Sequence, residues 1–256
     1  MESNNDSAPN DFEILEKMWD LIYANVKWFV IYTSLRLNII DHLFNEIMTS
    51  EKLAQLTKTD HSKLVRLLRA LIKIGLIERC DKQLYKVTKL GSFLKTDHPY
   101  GCRKMCLLNN VQNAAMVNLS KCIQTNEDPF ELSYGFDYWE YLRRTPDENR
   151  ILHDAVDVLS EHFVSSFDYD WKQFDRFIEI RCCGERMIKK ILNLCPNSSA
   201  VVMAKDEMFD DISEKICKTD ISDRCKIVKG HFLKQIPAHG DCYIINFLLQ
   251  DWTDEN

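Results

Sequence analysis

Apolar positions recur along this chain in two rhythms, and the change between them divides it. From Asp11 the spacing is helical: Phe12, Leu15, Trp19, Ile22, Tyr23, Val26, Phe29 and Val30. Trp28, Ile31 and Tyr32 widen the stripe until the helix is apolar on most sides. Such a helix needs cover on most sides, and the expected cover is a partner subunit, with an ordinary core helix as the alternative. Leu35 to Phe44 reads as a second helix. Thr49 and Ser50 start a third ahead of Glu51–Ala54, and Asp60 or Ser62 caps a fourth, Lys63 to Ile74, which Gly75 closes. Leu76–Arg79 and Leu84–Val87, joined at Asp81 and Lys82, make a hairpin. Helix, turn, helix, hairpin is the order of a winged helix.

Helical spacing continues through Leu90–Leu94, Cys102–Cys122, Phe136–Arg143 and Pro146–Phe163, with a polar loop expected at Thr125–Gly135. The pairs Asp147–Arg150 and Asp154–Asp157 decorate the exposed face of the last of these helices; Asp154, Asp157 and Glu161 read as a solvated acidic face, with paired carboxylates as the alternative, and His153 and His162 as surface residues. From Phe177 strands alternate with helices: strands at 177–181, 200–204, 225–229 and 242–248, helices at 185–194 and 207–218, with Asp210 and Asp211 as charges at the start of the second. That alternation predicts a parallel sheet with covering helices, left with an exposed edge. The expected division is a disordered tail at 1–10, a winged-helix-like domain at 11–100, linker and substrate-side helices at 101–172, and a cofactor-type α/β domain at 173–256.

The candidate chemistry centres on Phe177–Met187. Phe177, Ile178 and Ile180 form a short buried strand, and Met187, Ile188, Ile191 and Leu192 the apolar face of the following helix. In an open α/β sheet a nucleotide-like ligand docks at the carboxyl end of such a strand. A glycine-rich turn normally stands there, because glycine lets backbone amides approach the ligand. Here the turn reads Arg181-Cys182-Cys183-Gly184.

Composition removes several other classes. Hydrophobic residues make up 45% and charged residues 28%, ordinary for a globular chain. No apolar run is long enough for a transmembrane helix, and the polar, acidic first residues do not resemble a signal peptide, so the expectation is a cytoplasmic protein with no membrane partner. The ten cysteines are scattered without a CxxC pair and read as free thiols. Cys102 and Cys106 with His98 do not complete a ligand set, and no metal is expected. Net charge is −6, yet Ser50–Lys104 carries 13 Lys/Arg against 5 Asp/Glu, or +8, leaving −14 elsewhere. Lys63, Arg66, Arg69 and Lys73 form a basic stripe that fits either a duplex-reading helix or a solvated face. The acidic remainder would repel phosphate, so nucleic acid is not the expected partner.

Several segments in this order resemble the S-adenosylmethionine-dependent small-molecule O-methyltransferases, the group of acetylserotonin, plant phenylpropanoid and bacterial polyketide methyltransferases. They are Arg66–Leu71 with Gly75-Leu76, Tyr85–Thr88 with Leu90-Gly91, Phe136–Leu142 with Pro146-Asp147, Phe174–Ile180, Lys229–Phe232, Ile236-Pro237 and Leu248–Glu255. The resemblance implies a mainly α winged-helix dimerisation domain followed by an α/β Rossmann-like methyltransferase domain whose parallel sheet is incomplete. It implies S-adenosyl-L-methionine as cofactor and a small aromatic or polyketide-like substrate, and the surplus apolar surface of the first helix adds the expectation of a homodimer formed mainly through residues 11–45. The cofactor-binding positions it marks are Glu179, Gly184, Gly230, His231, Phe232 and Trp252.

The chain departs from the family pattern where the chemistry falls. Arg181, Cys182, Cys183 and Glu185 stand where glycines are usual. Ala204 stands where an acid usually binds the ribose, with Asp206 two residues on, and Asn246 replaces a lysine. Gln250 occupies the position of the catalytic histidine, leaving no catalytic residue at that place. A glutamine amide cannot take a proton from a substrate hydroxyl. The expected activity is therefore that of a family member that does not catalyse. The alternatives are a working methyltransferase with an altered turn and base, and a winged-helix DNA-binding protein.

Overall fold

The computed structural model describes residues 10–81, 83–180 and 184–249, without the side chain of Asn109. Residues up to His98 pack as one unit and those from Pro99 onward as another.

The first unit opens with α1 (Asp11–Ile22) and α2 (Ala24–Arg36), where the spacing predicted one helix. The break falls at Tyr23, whose ψ of 9° leaves the helical basin between two apolar stretches. Asn10, assigned above to the tail, accepts hydrogen bonds from the Phe12 and Glu13 amides while its backbone N–H donates to the Glu13 carboxylate, a capping box. Asn38, in the left-handed region at φ 52°, separates α2 from α3 (Ile39–Asn45), so the helix read from Leu35 begins four residues later. The short strand β1 (Met48–Thr49) leads into α4 (Ser50–Thr57), with Thr49 accepting the Lys52 amide.

Asp60 caps α5 (His61–Lys73) by accepting the Lys63 amide at 2.9 Å, and Ser62 donates to the same carboxylate. β2 (Ile77–Arg79) and β3 (Leu84–Val87) pair antiparallel, and β1 adds to the far edge of β3, a pairing too short for the sequence pattern to announce. The turn α6 (Lys89–Ser92) follows, with Gly91 packed so closely on the Leu76 carbonyl that a Cβ there would overlap it. The core gathers Leu35, Ile39, Leu53, Leu64, Leu68 and Leu71, while Lys63, Arg66, Arg69 and Lys73 stand exposed on the opposite face of α5.

The second unit begins with α7 (Cys102–Ala115) and α8 (Leu119–Thr125), separated by one 3-10 turn. The segment expected as a polar loop contains α9 (Pro129–Tyr134). Asp128 caps it through the Phe130 and Glu131 amides, Pro129 fixes its first turn and Gly135 ends it at φ 79°. Phe130 is buried against Tyr134, Tyr138 and Tyr141, so tertiary packing holds a helix too short to stand alone. α10 (Tyr138–Arg144) and the long α11 (Pro146–Ser166) follow.

Then come β4 (Arg176–Ile180), α12 (Arg186–Leu194), β5 (Ser199–Ala204), α13 (Asp206–Cys217), β6 (Cys225–Lys229) and β7 (Cys242–Ile245). Asp206 and Glu207 supply the first-turn charges of α13. Asp210 and Asp211, expected there, lie one turn inside, and Asp211 pairs with Lys215 at 2.8 Å.

Among the described residues the second sheet is all parallel, in the order β6-β5-β4-β7. One face packs Phe177, Val202 and Ala204 against Met187, Ile188, Ile191 and Leu192 of α12 and Ile212 and Ile216 of α13. The other carries Ile178, Ile180 and Val201 beneath Leu248 and Phe232. Among the described residues no helix is long and apolar enough to cross a membrane.

Candidate functional site

β5 and β6 build outward from one side of β4, and β7 pairs on the other. The direction of chain progression therefore reverses between β4 and β7, and a ligand-binding crevice of an open α/β sheet lies at the carboxyl ends of such a pair. Four residues past the end of β4 stands Gly184, and directly after β7 stands Asn246.

The polar face of α11 reaches both positions. Asp157 is 7% exposed and accepts the Arg186 amide at 3.0 Å, with the Arg186 Nε 3.4 Å from its other oxygen. Arg186 is the first residue of α12, and Glu185 before it makes no side-chain cap, so Asp157 of α11 caps α12. A Cβ added at Gly184 would overlap the Asp157 carboxyl. One turn on, Ser160 donates to the Val156 carbonyl and accepts a hydrogen bond from the Asn246 amide. Glu161 completes the face through the Arg186 guanidinium at 3.3 Å.

This corrects the reading of Asp154, Asp157 and Glu161 as a solvated acidic face. Asp154 is tied to Lys104 of α7 at 2.8 Å, Glu161 to Arg186, and Asp157 is buried. Burial, with the Glu185 carboxylate beside it, pushes Asp157 up to about 6. The histidines of α11 are also less exposed than expected: both are half-buried, and His162 packs on Tyr100 at 4.4 Å between ring centres.

The sign of the pH effect follows. A carboxyl whose folded value is raised adds stability below its unfolded value near 4, and that contribution is lost as pH rises through about 6. Between about pH 5 and 7.5 the chain should lose roughly 1–1.5 kcal/mol from this group. Denaturant midpoints across that window should fall with pH in the native chain and stay level in Asp157→Asn. A level profile in the native chain would show that Asp157 is ionised throughout.

The other predicted positions fall as follows. Glu179 is 5% exposed within β4 and faces Cys225, whose thiol burial and that carboxylate push up to about 12. Gly230 leaves β6 with its amide on the Ala204 carbonyl at 3.1 Å, and a Cβ there would meet the Met203 side chain at 3.0 Å. His231 stacks on Phe232 at 5.0 Å, and the ring of Phe232 closes the Ile178–Ile180 face. Gly184 and Gly230–Phe232 thus share the carboxyl edge of the sheet, with β5 between their strands, whereas the Glu179 side chain is buried inside. Arg181, Cys182, Cys183, Gln250 and Trp252 lie outside the described residues.

Sequence reasoning passed over Asp157, Ser160 and Asn246 as a set. A signal for them existed: 157, 160, 161 and 164 share one helix face, and Val164 on it is apolar. Among the described residues no group of three His, Cys, Asp or Glu side chains is arranged for a metal, and Cys102 and Cys106 are free thiols, the second raised to about 11 by burial.

An open parallel sheet with its reversal between β4 and β7 is an architecture that can take a nucleotide-like ligand at that reversal. Two family models match: an O-methyltransferase dimerisation domain over residues 19–97 and an O-methyltransferase domain over residues 116–256. The second covers more than half of the chain, and the chain belongs to the O-methyltransferase family.

Among its curated relatives is the phenazine O-methyltransferase of Lysobacter antibioticus, 25% identical over 228 residues that cover 88% of this chain and 67% of that protein. Another is the aclacinomycin 10-hydroxylase of Streptomyces purpurascens, 24% identical over 98% of this chain and 70% of its own length. The crystal structure of LaPhzM superposes with a TM-score of 0.85 at 25% identity, covering 94% of this chain and 74% of that one. The neocarzinostatin O-methyltransferase NcsB1, solved with S-adenosylmethionine and 2-hydroxy-5-methyl naphthoic acid, superposes at 0.71 with 24% identity, covering 89% and 72%.

The chain spans about two thirds of the length of the curated relatives it matches first. The duplex-reading alternative for the basic stripe on α5 gains no support from these matches, since the model over that region is a dimerisation domain.

Proposed function

We propose that this chain is a homodimeric member of the O-methyltransferase family whose crevice does not carry out methyl transfer to a hydroxyl group. The observations that carry this reading are the side chains at the turn positions where the family has glycine and the contacts that Asp157 and Ser160 make with Gly184 and Asn246. In a cofactor turn the leading glycines let the backbone approach a ligand, and here those positions are Arg181, Cys182 and Cys183. Here Gly184 faces a protein carboxyl, and the amide of Asn246 is engaged by Ser160. The residues present therefore do not fit S-adenosylmethionine in that place. The sequence Arg181-Cys182-Cys183 points the same way, since glycine is the residue that allows close approach of a backbone to a ligand.

Family membership leaves the reaction open. The relatives include a protein named as a hydroxylase and one named as an N,N-dimethyltransferase. The dimerisation domain supports assembly through α1 and α2, within the first 45 residues. Small aromatic substrates are those of the relatives and come to this chain only by analogy.

Calorimetric titration with S-adenosylmethionine and S-adenosylhomocysteine at about pH 7.5 tests the reading. The expected dissociation constants are weaker than about 100 μM. Low-micromolar affinity for either would show that the crevice is open to the cofactor.

A further inference from the structure

A cavity of about 550 Å³ runs along β7 in the second unit. Its wall draws on Phe163 and Phe167 of α11, Trp171 ahead of β4, Met187 of α12, and the run from Ile244 to Leu249. Side chains around a void lose packing contacts, and ligand sites occupy volumes of about 300–1,000 Å³.

Four features give the cavity its chemistry. The first is charge. None of the described lining residues is charged, so an ion entering would leave water without meeting an opposite charge. The ligand is therefore uncharged, which separates this cavity from a seat for S-adenosylmethionine. The second is a donor. Nε1 of Trp171 is shut off from solvent and has no hydrogen-bond partner among the described residues. A buried indole N–H ordinarily finds an acceptor, and leaving it unmet is costly. The Asn246 amide nitrogen, also in the wall, is already taken by Ser160 and the Met187 sulfur.

The third feature is length. Trp171 precedes β4 and Met187 follows it, so the wall draws on residues beyond both ends of that strand. Five residues of strand extend roughly 16 Å. A long ligand matches that reach better than a compact ring system. The fourth is backbone strain. Phe247 holds a left-handed backbone at φ 50°, uncommon for a bulky residue, and its ring meets Phe163 at 5.4 Å between centres. Such strain persists where the surroundings require it, and here it sets an aromatic ring in the wall.

We propose that this cavity binds an uncharged chain molecule bearing a carbonyl acceptor, of the fatty acyl ester class. The chain lies along β7 against Phe163 and Phe167, and the carbonyl accepts from the Trp171 indole. The site differs from the β4–β7 crevice, which lies at the carboxyl ends of the strands, and the two share Asn246. It does not rest on the non-catalytic reading, which titration with S-adenosylmethionine tests separately.

The full chain is titrated at about pH 7.5 with phenylnaphthylamine, an uncharged dye whose emission rises in apolar surroundings. Methyl octanoate and octanoate, which differ in charge on the same chain, then compete for the dye, as does acetylnaphthalene, a flat aromatic ketone. Methyl octanoate should displace the dye at concentrations at least tenfold below those needed of octanoate, and below those needed of acetylnaphthalene. Trp171→Phe keeps a ring and removes the donor. It should weaken the ester about fivefold and leave the dye unchanged. Phe167 and Leu249 line the cavity at its exposed side, at 62% and 72% exposure, so a charge at either can be tolerated by the fold. Phe167→Glu and Leu249→Glu should each abolish dye and ester binding, with denaturant midpoints near the native value.

Octanoate or acetylnaphthalene competing as well as the ester would overturn the proposal. Ester affinity that ignores Trp171→Phe would overturn it too, and so would dye binding that survives both glutamate variants, or no ester binding at all.

Discussion

In solution the protein should run at about twice its chain mass of 30.1 kDa, and Trp19→Glu should bring it toward that single-chain value. The reason lies in α1. None of its residues is buried within the described chain, yet it has an apolar body. Phe12, Leu15, Trp19 and Ile22, with Val26 and Phe29 of α2, are each about half exposed or more. A helix of 12 residues is marginal in water without packing, so an uncovered α1 would not hold its shape. Contiguous apolar exposure of this kind marks a protein interface, and a stable one needs about 1,000 Å² or more of buried surface.

Trp28 is a less clean probe. It stacks on Tyr32 at 5.1 Å and is half-buried, so replacing it disturbs the unit's own packing. Light scattering across a dilution series gives the test. A native chain that stays at single-chain mass at micromolar concentration refutes the interface, and an unchanged dimer in Trp19→Glu moves it off α1.

The elements that sequence pattern located are those whose apolar spacing was long and whose punctuation was local. Lys63–Ile74 was legible because Asp60 begins it, Gly75 ends it, and Leu64, Leu68 and Leu71 keep one face. The strands at 177 and 200 were legible because both faces of a central parallel strand are buried, which leaves a continuous apolar run. What was lost depended on packing between distant segments. The helix α9 exists because Phe130 sits among tyrosines contributed by α10 and by α9 itself, and its polar flanks read as a loop. The break at Tyr23 has neither glycine nor proline to signal it.

The site divides in the same way. Gly184 was legible as a close approach, but a lone glycine does not say what approaches it. In the structure the carboxyl of Asp157, 27 positions earlier in the chain, packs on Gly184. A carboxylate among solvated neighbours on a helix looks the same in sequence as one buried against a turn, and only the α11–α12 packing tells them apart. Ser160 and Asn246 escaped for the same reason, since their contact spans 86 positions.

No methyl transfer to phenols or other hydroxyl compounds should be measurable for the native chain, and Gln250→His alone should not create it. Two separate deficits stand behind this. The first is chemical. A hydroxyl attacking a methyl group must give up its proton, the carboxamide of Gln250 has no basic site near neutral pH, and lost general-base help costs about 10²–10⁴-fold. His231 is not placed to replace it, and its Nδ1 accepts the Leu233 amide at 3.4 Å. His231 also follows β6, which is separated from β7 by β5 and β4.

The second deficit is in binding the methyl donor, and it is why restoring a histidine should fail. A base accelerates only a reactant held in place, and at this crevice Asp157 packs on Gly184 and Ser160 holds the Asn246 amide. The two deficits therefore do not add as independent factors, because repairing the base leaves nothing positioned for it to act on. The measurement is a radiolabelled methyl-transfer assay against a panel of phenols and naphthols, run at about pH 7.5 with the native chain, Gln250→His, and Gln250→His combined with Asp157→Asn. A rate above buffer in the native chain defeats the non-catalytic reading outright. A rate gain in Gln250→His alone means that the crevice already admits the donor and that only the base was missing. A gain confined to the combined variant puts the block at Asp157 and assigns the lost chemistry to position 250.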